Sequence, residues 1–226
     1  MGVIERRARE KEALRTKIIE ATSQLMVEEG FESVSIRRIA ERIEYSPATI
    51  YLYFKDKAEL FDAICEELFG QMVEALSNVG AEEADPLKRL RAGMRGYIEF
   101  GMSHPSHYLA VFGVVHQPSE AHGPDHPNEA KQLGMEAFEI LRQILRLCIS
   151  QGALPECDVE TTSHAAWMCL HGITILMITT YGGPFPVYPN LTGAGRNHLI
   201  DSALDLVIAG LRHCALQPMP DGFAKK

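Results

Sequence analysis

The stretch VSIRRIAERIEYSPATIYLYFKDK, from Val34 to Lys57, decides the fold of this chain. Its first half, Ser35–Ile43, spaces apolar residues three and four positions apart, as one face of an α-helix requires. Its second half opens with Ser46 and Pro47, a helix-capping residue followed by proline at the first helical position. A short polar segment separates the halves. The stretch therefore predicts two short helices joined by a tight turn.

The second of these helices has a face that a buried core does not need. At about 100° per residue, Ile50 and Phe54 share one face, with Tyr51 at its edge. The opposite face carries small, hydroxyl and aromatic side chains and no charge: Ala48, Thr49, Leu52 and Tyr53. Such a face suits a DNA major groove, with hydroxyls for phosphates and apolar groups for thymine methyls. The competing interpretation, a short helix buried on both sides, fits the flanking helices less well than the three-helix DNA-binding arrangement.

Charge is divided unequally along the chain. Residues 1–60 carry 11 basic and 11 acidic side chains, whereas residues 61–226 carry 11 and 19, so the net charge of −8 lies wholly outside the N-terminal quarter. A helix predicted over Thr16–Met26 is preceded by a segment in which basic residues outnumber acidic ones. A neutral head with a basic arm fits a protein that offers one end to DNA phosphates. The alternative is a solvated, frayed N-terminal helix.

Two segments resemble a known family: ATSQLMVEEGFESVSIRRIA at residues 21–40 and SPATIYLYFKDKAELF at residues 46–61. Within Thr16–Phe69 the chain resembles the DNA-binding domain of the TetR (tetracycline repressor) family. The resemblance implies that Ser35 caps the second helix against a phosphate and that Arg37 reaches a base edge. It further implies that the remaining DNA contacts come from Ala48, Thr49, Tyr51, Tyr53 and Lys57.

One residue departs from the family pattern. The family usually has glycine in the turn where this chain has Glu44. We expect Glu44 to adopt a positive φ, which costs a non-glycine residue some strain, and to place a negative charge near the DNA-facing surface.

Beyond residue 57 the apolar spacing predicts further helices and no strand. Asp56, Asp85 and Asp158 stand where helix N-caps are needed, and a long helix is expected over Glu129–Ser150. The fold class is therefore all-α, with about nine or ten helices. We predict a three-helix DNA-binding head with a helix-turn-helix at residues 1–57 and a larger helical ligand-binding and dimerisation body at residues 58–226.

The body holds a second, shorter resemblance. The segment HAAWMCLHG, His164–Gly172, resembles the ligand-binding domain of one TetR subgroup. In the family the last two helices of each subunit form a four-helix dimer interface, so the resemblance implies a homodimer. Individually, the body's methionine and aromatic residues are interpreted as core, and His171 as a hydrogen-bonded core residue. Collectively they form a candidate apolar ligand pocket: Met94, Tyr97, Phe112, Trp167, Met168 and His171.

Other chemistry finds little support in the sequence. His116, His122 and His126 fall in one predicted loop, but without a recognisable set of metal ligands we interpret them as solvated and predict neither metal nor cofactor. Five cysteines at scattered spacings indicate reduced thiols in a cytoplasmic protein. No apolar run is long enough for a membrane span, and no nucleotide-binding or hydrolase motif is present.

These observations predict a ligand-responsive transcriptional regulator and not an enzyme. We expect a homodimeric repressor that binds a near-palindromic operator in double-stranded DNA and is released by a small, largely apolar effector. The competing hypothesis is a small-molecule enzyme or carrier with an N-terminal helical bundle.

Overall fold

The computed structural model of the protein describes residues 2–113, 129–182, 191–213 and 216. Over these residues it contains nine α-helices and no β-strand, which confirms the all-α prediction. A 3₁₀ turn at Phe31–Ser33 follows the first helix, and a π turn at Met177–Tyr181 extends the eighth. The helices are α1 (Val3–Glu29), α2 (Ile36–Ile43), α3 (Pro47–Tyr51), α4 (Lys57–Ser77), α5 (Pro86–Ser103), α6 (Pro105–Phe112), α7 (Glu129–Ser150), α8 (Val159–Leu176) and α9 (Gly193–His213).

Helix α1 begins well before the predicted Thr16. Its residues from Glu5 to Ala13 are exposed, and local polar contacts hold this part of the helix: the Gly2 N–H donates to Glu5 Oε2 at 2.9 Å, and Arg6 Nε lies 3.4 Å from Glu10 Oε1. Contacts at these spacings stabilise a helix that buries nothing. The basic segment is therefore a solvent-exposed extension of α1.

The chain forms two compact units. The first contains the described residues up to Phe69 together with those of the segment His104–Gln132. The second contains Gly70–Ser103 and the described residues from Leu133 onward. The first unit thus extends beyond residue 57 and takes in α6 as well as the helix-turn-helix. The division of DNA-binding and ligand-binding roles between two domains stays a prediction.

The first unit is built on α1, which packs against α2 and α6. Its core takes Ile18, Ile19 and Leu25 from α1, each without exposed surface, and Ile39 from α2. Ile50 and Phe54 close this core at 0% and 2% exposure, as the helical spacing predicted. The apolar face of the helix-turn-helix is therefore fully used by the core, which leaves its other face to solvent.

In the second unit, α5 packs against α8 and α9, and α8 packs against α9. Two glycines of α5 allow close approach: a Cβ on Gly93 would lie 3.3 Å from Ile144 Cδ1, and a Cβ on Gly96 would lie 3.2 Å from a Leu76 methyl. Polar contacts then fasten α9 to α5. Asp201 Oδ1 lies 2.9 Å from Arg91 Nη2 and 2.7 Å from Arg95 Nη1.

The described cysteines agree with the expectation of reduced thiols. Cys65 and Cys148 are buried and unpaired by disulfides. Burial raises the pKa of Cys65 to about 12 and that of Cys148 to about 11, so both stay protonated at neutral pH. Within the described parts of the chain, no helix combines the length and apolar content that crossing a membrane requires.

Candidate functional site

The turn between α2 and α3 closes as a Schellman motif with glutamate at the position where glycine is usual. The Tyr45 N–H donates to the Ala40 carbonyl at 2.9 Å, and the Glu44 N–H donates to the Glu41 carbonyl at 3.3 Å. Glu44 has φ 63° and ψ 40°, and it is the one non-glycine residue with positive φ in the described part of the chain. The predicted left-handed conformation is confirmed.

Lys17 of α1 contacts this turn through its ammonium group. Its Nζ donates to the Ile43 carbonyl at 3.3 Å and lies 5.5 Å from the centre of the Tyr45 ring. A carbonyl left unpaired at the end of α2 thus finds a charged donor, as helix C-termini favour. The turn is therefore stabilised both by its own backbone hydrogen bonds and by a lysine side chain of α1.

Helix α3 is capped by Ser46, as predicted. The Ser46 Oγ accepts the Thr49 N–H at 3.2 Å, and the two hydroxyl oxygens lie 2.9 Å apart. Both hydroxyls are thereby directed to one another at the start of the helix. Ser35 plays the corresponding part for α2, where its Oγ accepts the Arg38 N–H at 3.2 Å.

The outer face of α3 differs from the helical-wheel prediction in its two tyrosines. Leu52 is 79% exposed, Tyr51 is 57% exposed, and Ala48 is also exposed. Tyr53, however, is half-buried and packs against the core of the first unit. Its N–H donates to the Ile50 carbonyl at 2.9 Å, which tightens the last turn, so the 100° spacing no longer holds beyond Leu52. The outward aromatic ring is therefore that of Tyr51.

Two of the three arginines of α2 form ion pairs with α1, and the third is exposed to solvent. Arg38 donates to Glu29 Oε1 at 2.7 Å and Arg42 donates to Glu28 Oε2 at 2.5 Å, so both side chains join α2 to the end of α1. Hydrogen bonds from these arginines lower the pKa of each glutamate. Arg37 instead projects outward, with 83% of its side chain exposed and Nε 3.0 Å from Glu41 Oε1. Among the three, Arg37 is the one whose guanidinium projects farthest into solvent.

Lys57 has a structural contact that the sequence did not indicate. Its Nζ donates to the Phe31 carbonyl at 2.8 Å and lies 4.1 Å from the centre of the Phe31 ring. The ammonium group thus holds the turn after α1, and a phosphate would have to compete with that carbonyl. Lys55, which the sequence reasoning did not select, is 83% exposed. Its exposure makes Lys55 the better placed of the two cations for a phosphate.

The second unit contains an aromatic cluster centred on Trp167. The indole N–H donates to the Tyr97 hydroxyl at 3.1 Å, and the His171 ring stacks on the indole with centroids 5.4 Å apart. Phe138 packs edge-on against Trp167 at 6.4 Å. Burial lowers the pKa of His171, so its imidazole is neutral at pH 7. The cluster thus combines three aromatic rings with a neutral imidazole, and the indole N–H is satisfied by the Tyr97 hydroxyl.

The six predicted ligand residues are not equivalent in the structure. Met94 and Tyr97 are buried at 1% and 7% exposure, and Trp167 is half-buried. Met168 is 66% exposed, because one further residue turns it about 100° around α8 from Trp167, and its part in ligand binding stays a prediction. Phe112 belongs to the first unit, where its ring packs 5.8 Å from that of Phe69.

Helices α8 and α9 leave apolar side chains in solvent. On α8, Met168 and Leu176 are 66% and 50% exposed and lie two turns apart. On α9, Leu199 and Leu206 are 37% and 76% exposed and also lie two turns apart. We call these four side chains the α8–α9 face. Their spacing places one stripe along each helix.

The described residues contain no group of three or more side chains that could hold a metal ion. The loop histidines His116, His122 and His126 lie outside the described residues.

Two family models match the sequence. The model described as "Bacterial regulatory proteins, tetR family" matches residues 18–64. The model described as "Tetracyclin repressor-like, C-terminal domain" matches residues 90–191. Together they cover the helix-turn-helix and most of the second unit's helices.

Similar proteins agree with these matches. The chain is 26% identical to the Fatty acid metabolism regulator protein of Bacillus subtilis (strain 168) over 142 residues, which are 62% of this chain and 66% of that protein, just under two thirds of its length. The solved TetR family transcriptional regulator PfmR from Thermus thermophilus has a TM-score of 0.69 at 24% identity, over 86% of this chain and 98% of that one. Transcriptional regulator FadR from Bacillus subtilis, solved in complex with stearoyl-CoA, has a TM-score of 0.65 at 19% identity, over 86% and 98%. At these identities the two structures show a shared fold.

Proposed function

Because this chain belongs to the TetR family of bacterial regulatory proteins, we propose that it is a DNA-binding transcriptional regulator. In this proposal the protein is a cytoplasmic homodimeric repressor that leaves a near-palindromic operator when a small, largely apolar effector binds. The observation that carries the proposal is the outer face of α3. Ala48, Tyr51 and Leu52 stand in solvent while Ile50 and Phe54 fill the core behind them.

A DNA major groove explains why that face remains exposed. Arg37 and Lys55, each 83% exposed, lie in the chain on either side of the α3 residues and supply positive charge for phosphates or base edges. Ser35 and Thr49 add hydroxyl oxygens at the starts of α2 and α3, and Tyr51 adds a phenol group. Tyr53 packs against the core of the first unit, and Lys57 holds the turn after α1. Two copies of α3 in one dimer would enter successive major grooves about 34–36 Å apart, which is why we expect a near-palindrome.

Binding to duplexes selected from bacterial genomic fragments tests this proposal. If Arg37 and Lys55 of both protomers release counterions, log Kd should depend on log salt concentration with a slope of at least about 3 in magnitude. Tyr51→Ala should weaken binding, whereas Met135→Ala, which truncates a 61% exposed side chain on α7, should not. A protein that binds no duplex at low salt would favour the enzyme or carrier hypothesis instead.

The homodimer is supported by the α8–α9 face. Exposed Met168, Leu176, Leu199 and Leu206 form apolar stripes on two adjacent helices, and a second copy of the same stripes would cover them. Leu206→Glu should therefore produce monomers in sedimentation experiments and abolish cooperative operator binding. Met135→Glu places the same charge on α7 and should leave the dimer intact.

The effector site is supported by the cluster around Trp167. Tyr97, Phe138 and His171 pack around Trp167 in the second unit, which also contains the buried Met94, and aromatic residues of this kind line most small-molecule sites. Since the solved Bacillus subtilis relative carries stearoyl-CoA, a long-chain acyl-CoA is the first effector to test. Quenching of the single tryptophan, Trp167, reports binding directly.

Coupling between effector and operator has a thermodynamic test. If the effector shifts the protein away from its DNA-binding state, saturating operator DNA must weaken effector binding by the same factor. Isothermal titration of acyl-CoA into free and DNA-bound protein measures that factor. Equal affinities in the two titrations would contradict the proposed coupling.

A further inference from the structure

Helix α6 carries a histidine with an unpaired ring nitrogen. The Nε2 atom of His107 is buried and makes no hydrogen bond with any described residue. Buried polar atoms are nearly always paired, because an unpaired one loses its bonds to water and gains nothing in return. A protonated imidazole is harder to accommodate than a neutral one, since both of its nitrogens are then donors that need acceptors. His107 is thus a position in the first unit where an added proton disturbs the packing.

The surroundings of His107 favour its neutral form. Burial is the largest influence and lowers the pKa of the imidazole. The carboxylates of Glu67 on α4 and Glu20 on α1 act in the opposite direction, and His104 at the start of α6 again lowers the pKa. The net effect is a lowered pKa. The packing of α6 seen in the structure therefore requires a neutral His107, although carboxylates of two other helices attract a proton to it.

Helix α1 connects this region to the helix-turn-helix. It packs against both α6 and α2. Lys17 of α1 donates through Nζ to the Ile43 carbonyl at the end of α2, at 3.3 Å. Near the other end of α1, Glu29 accepts a hydrogen bond of 2.7 Å from Arg38 of α2. A change in how α6 packs against α1 therefore acts on the helix that holds the turn before α3.

We propose that protonation of His107 loosens α6 from α1 and thereby weakens operator binding in mildly acidic solution. The inference rests on the proposed function and adds the proton to the effector as a second input. In the closed form α6 packs on α1 as in the structure, and in the open form the His107 ring reaches water. The proton shifts the equilibrium because only the open form binds it well.

Proton linkage sets the sign and the limit of the effect. A histidine in contact with water has a pKa near 6.5. Below that pH the open form takes up a proton that the closed form does not bind, so each further pH unit disfavours the closed form by at most about tenfold per protomer. Above about pH 7 both forms hold the same number of protons, and His107 no longer affects binding. A homodimer would thus lose at most about a hundredfold in affinity by pH 5.5.

Operator affinity measured between pH 5.5 and pH 8 at constant ionic strength tests the proposal. A rhodamine-labelled duplex, selected by the full-length protein at pH 8, is titrated by fluorescence anisotropy. Between pH 7.5 and pH 5.5 the wild type should lose at least about threefold more affinity than His107→Gln, which keeps a polar side chain but does not titrate. His104→Gln changes the other described histidine of this region and is the matched control. It should follow the wild type.

Hydrogen exchange measures the loosening itself. At pH 5.5 the backbone amides of α6 should exchange faster in the wild type than in His107→Gln, while those of α8 should exchange equally in both proteins. Both proteins are compared at one pH, so the intrinsic chemistry of exchange is the same. If His107→Gln loses its circular dichroism signal at pH 7.5, His107→Leu replaces it, because leucine needs no hydrogen-bond partner at a buried position.

The outcomes separate the two levels of the proposal. A protein that selects no duplex at pH 8 overturns the proposed function, and equal α6 exchange in wild type and variant at pH 5.5 overturns this inference independently. A protein that binds its duplex at pH 8 and loses affinity on acidification in parallel with His107→Gln keeps the proposed function and overturns this inference. Wild-type affinity that rises on acidification relative to His107→Gln also overturns it, because the carboxylates would then outweigh burial.

Discussion

Replacing Glu44 by glycine should stabilise the first unit without changing its fold. Glu44 occupies the left-handed region, with φ 63° and ψ 40°, at the end of α2. Its backbone cannot leave that region, because the N–H groups of Glu44 and Tyr45 both close the turn on carbonyls of α2. Glycine adopts the same conformation without a Cβ clash.

The expected gain is the difference between two opposing terms. The left-handed conformation costs an L-residue about 1–2 kcal/mol. Glycine removes that cost but gives the unfolded chain more freedom, which takes back about 0.4–1 kcal/mol. The exposed Glu44 side chain lies outside the core, so little packing is lost. The net increase in the free energy of unfolding should lie between about 0 and 1.6 kcal/mol, with a central value of about 0.8 kcal/mol.

Urea denaturation followed by circular dichroism at 222 nm measures this change. The midpoint should rise while the slope with urea concentration stays constant, because the surface exposed on unfolding is unchanged. Glu44→Ala is the matched control, since it removes the carboxylate and keeps the Cβ. If Glu44→Ala stabilises the protein as much as Glu44→Gly, the charge is responsible and the conformational explanation is refuted.

The same pair of variants separates strain from charge in DNA binding. Both remove a negative charge from the turn that precedes α3, so both should bind operator DNA more tightly at low salt, by a similar factor. Only Glu44→Gly should also raise the unfolding free energy. A gain in DNA affinity confined to Glu44→Gly would show that turn geometry, and not charge, limits binding.

Three further changes test the folded state. Ser46→Ala removes the cap of α3 and should lower the free energy of unfolding by about 0.5–2 kcal/mol in urea titrations. Asp201→Asn weakens two partly exposed ion pairs with Arg91 and Arg95; it should lower the urea midpoint in the same assay, and by less at 1 M salt. His107 has a buried Nε2 without a hydrogen-bond partner among the described residues, and burial lowers its pKa. The unfolded chain therefore binds this proton more readily, so stability should be full above about pH 6.5 and fall as the pH drops below that value, and His107→Gln should flatten the dependence.

Local signals in the sequence were sufficient for most of the helical architecture. The long helix α7 has the predicted bounds, Glu129–Ser150, and Gly152 behind it adopts the positive φ of 70° that ends such helices. The predicted caps also form: Asp85 Oδ1 accepts the Leu87 N–H at 2.9 Å, and Asp158 Oδ1 accepts the Thr161 N–H at 2.8 Å. Caps and apolar spacing act within a few residues, so a sequence displays them directly.

The start of α1 shows where that reasoning stops. Before Leu14 no apolar period exists, and the side chains from Glu5 to Ala13 are exposed, so helix prediction from apolar spacing has no signal there. Its stabilisation comes from polar pairs such as Arg6 with Glu10. Solvated helices of this kind are visible in a sequence through the spacing of opposite charges, a signal that the apolar pattern does not contain.

Contacts between distant segments could not be predicted from the sequence, for a different reason. Lys57 donates to the carbonyl of Phe31, 26 residues earlier, and Lys17 donates to the carbonyl of Ile43, again 26 residues away. The acceptor in each case is a backbone oxygen, which every residue possesses, so no pattern of side chains predicts the hydrogen bond. A lysine at such a position is identical in the sequence to a lysine that faces DNA.

The failure of helical periodicity at the end of α3 determines which of its residues are best substituted to test DNA binding. Helical periodicity assigned Tyr51 to an edge and Tyr53 to the outer face, but the tightened turn at Ile50–Tyr53 reverses their exposure. Tyr53→Ala would therefore remove core packing together with any DNA contact, and a loss of binding could not be attributed to either. Tyr51 and Leu52 are free of that ambiguity, because the core does not depend on them. Loss of DNA affinity in Tyr51→Ala or Leu52→Ala, at unchanged free energy of unfolding, is consequently the sharper evidence that this face binds DNA.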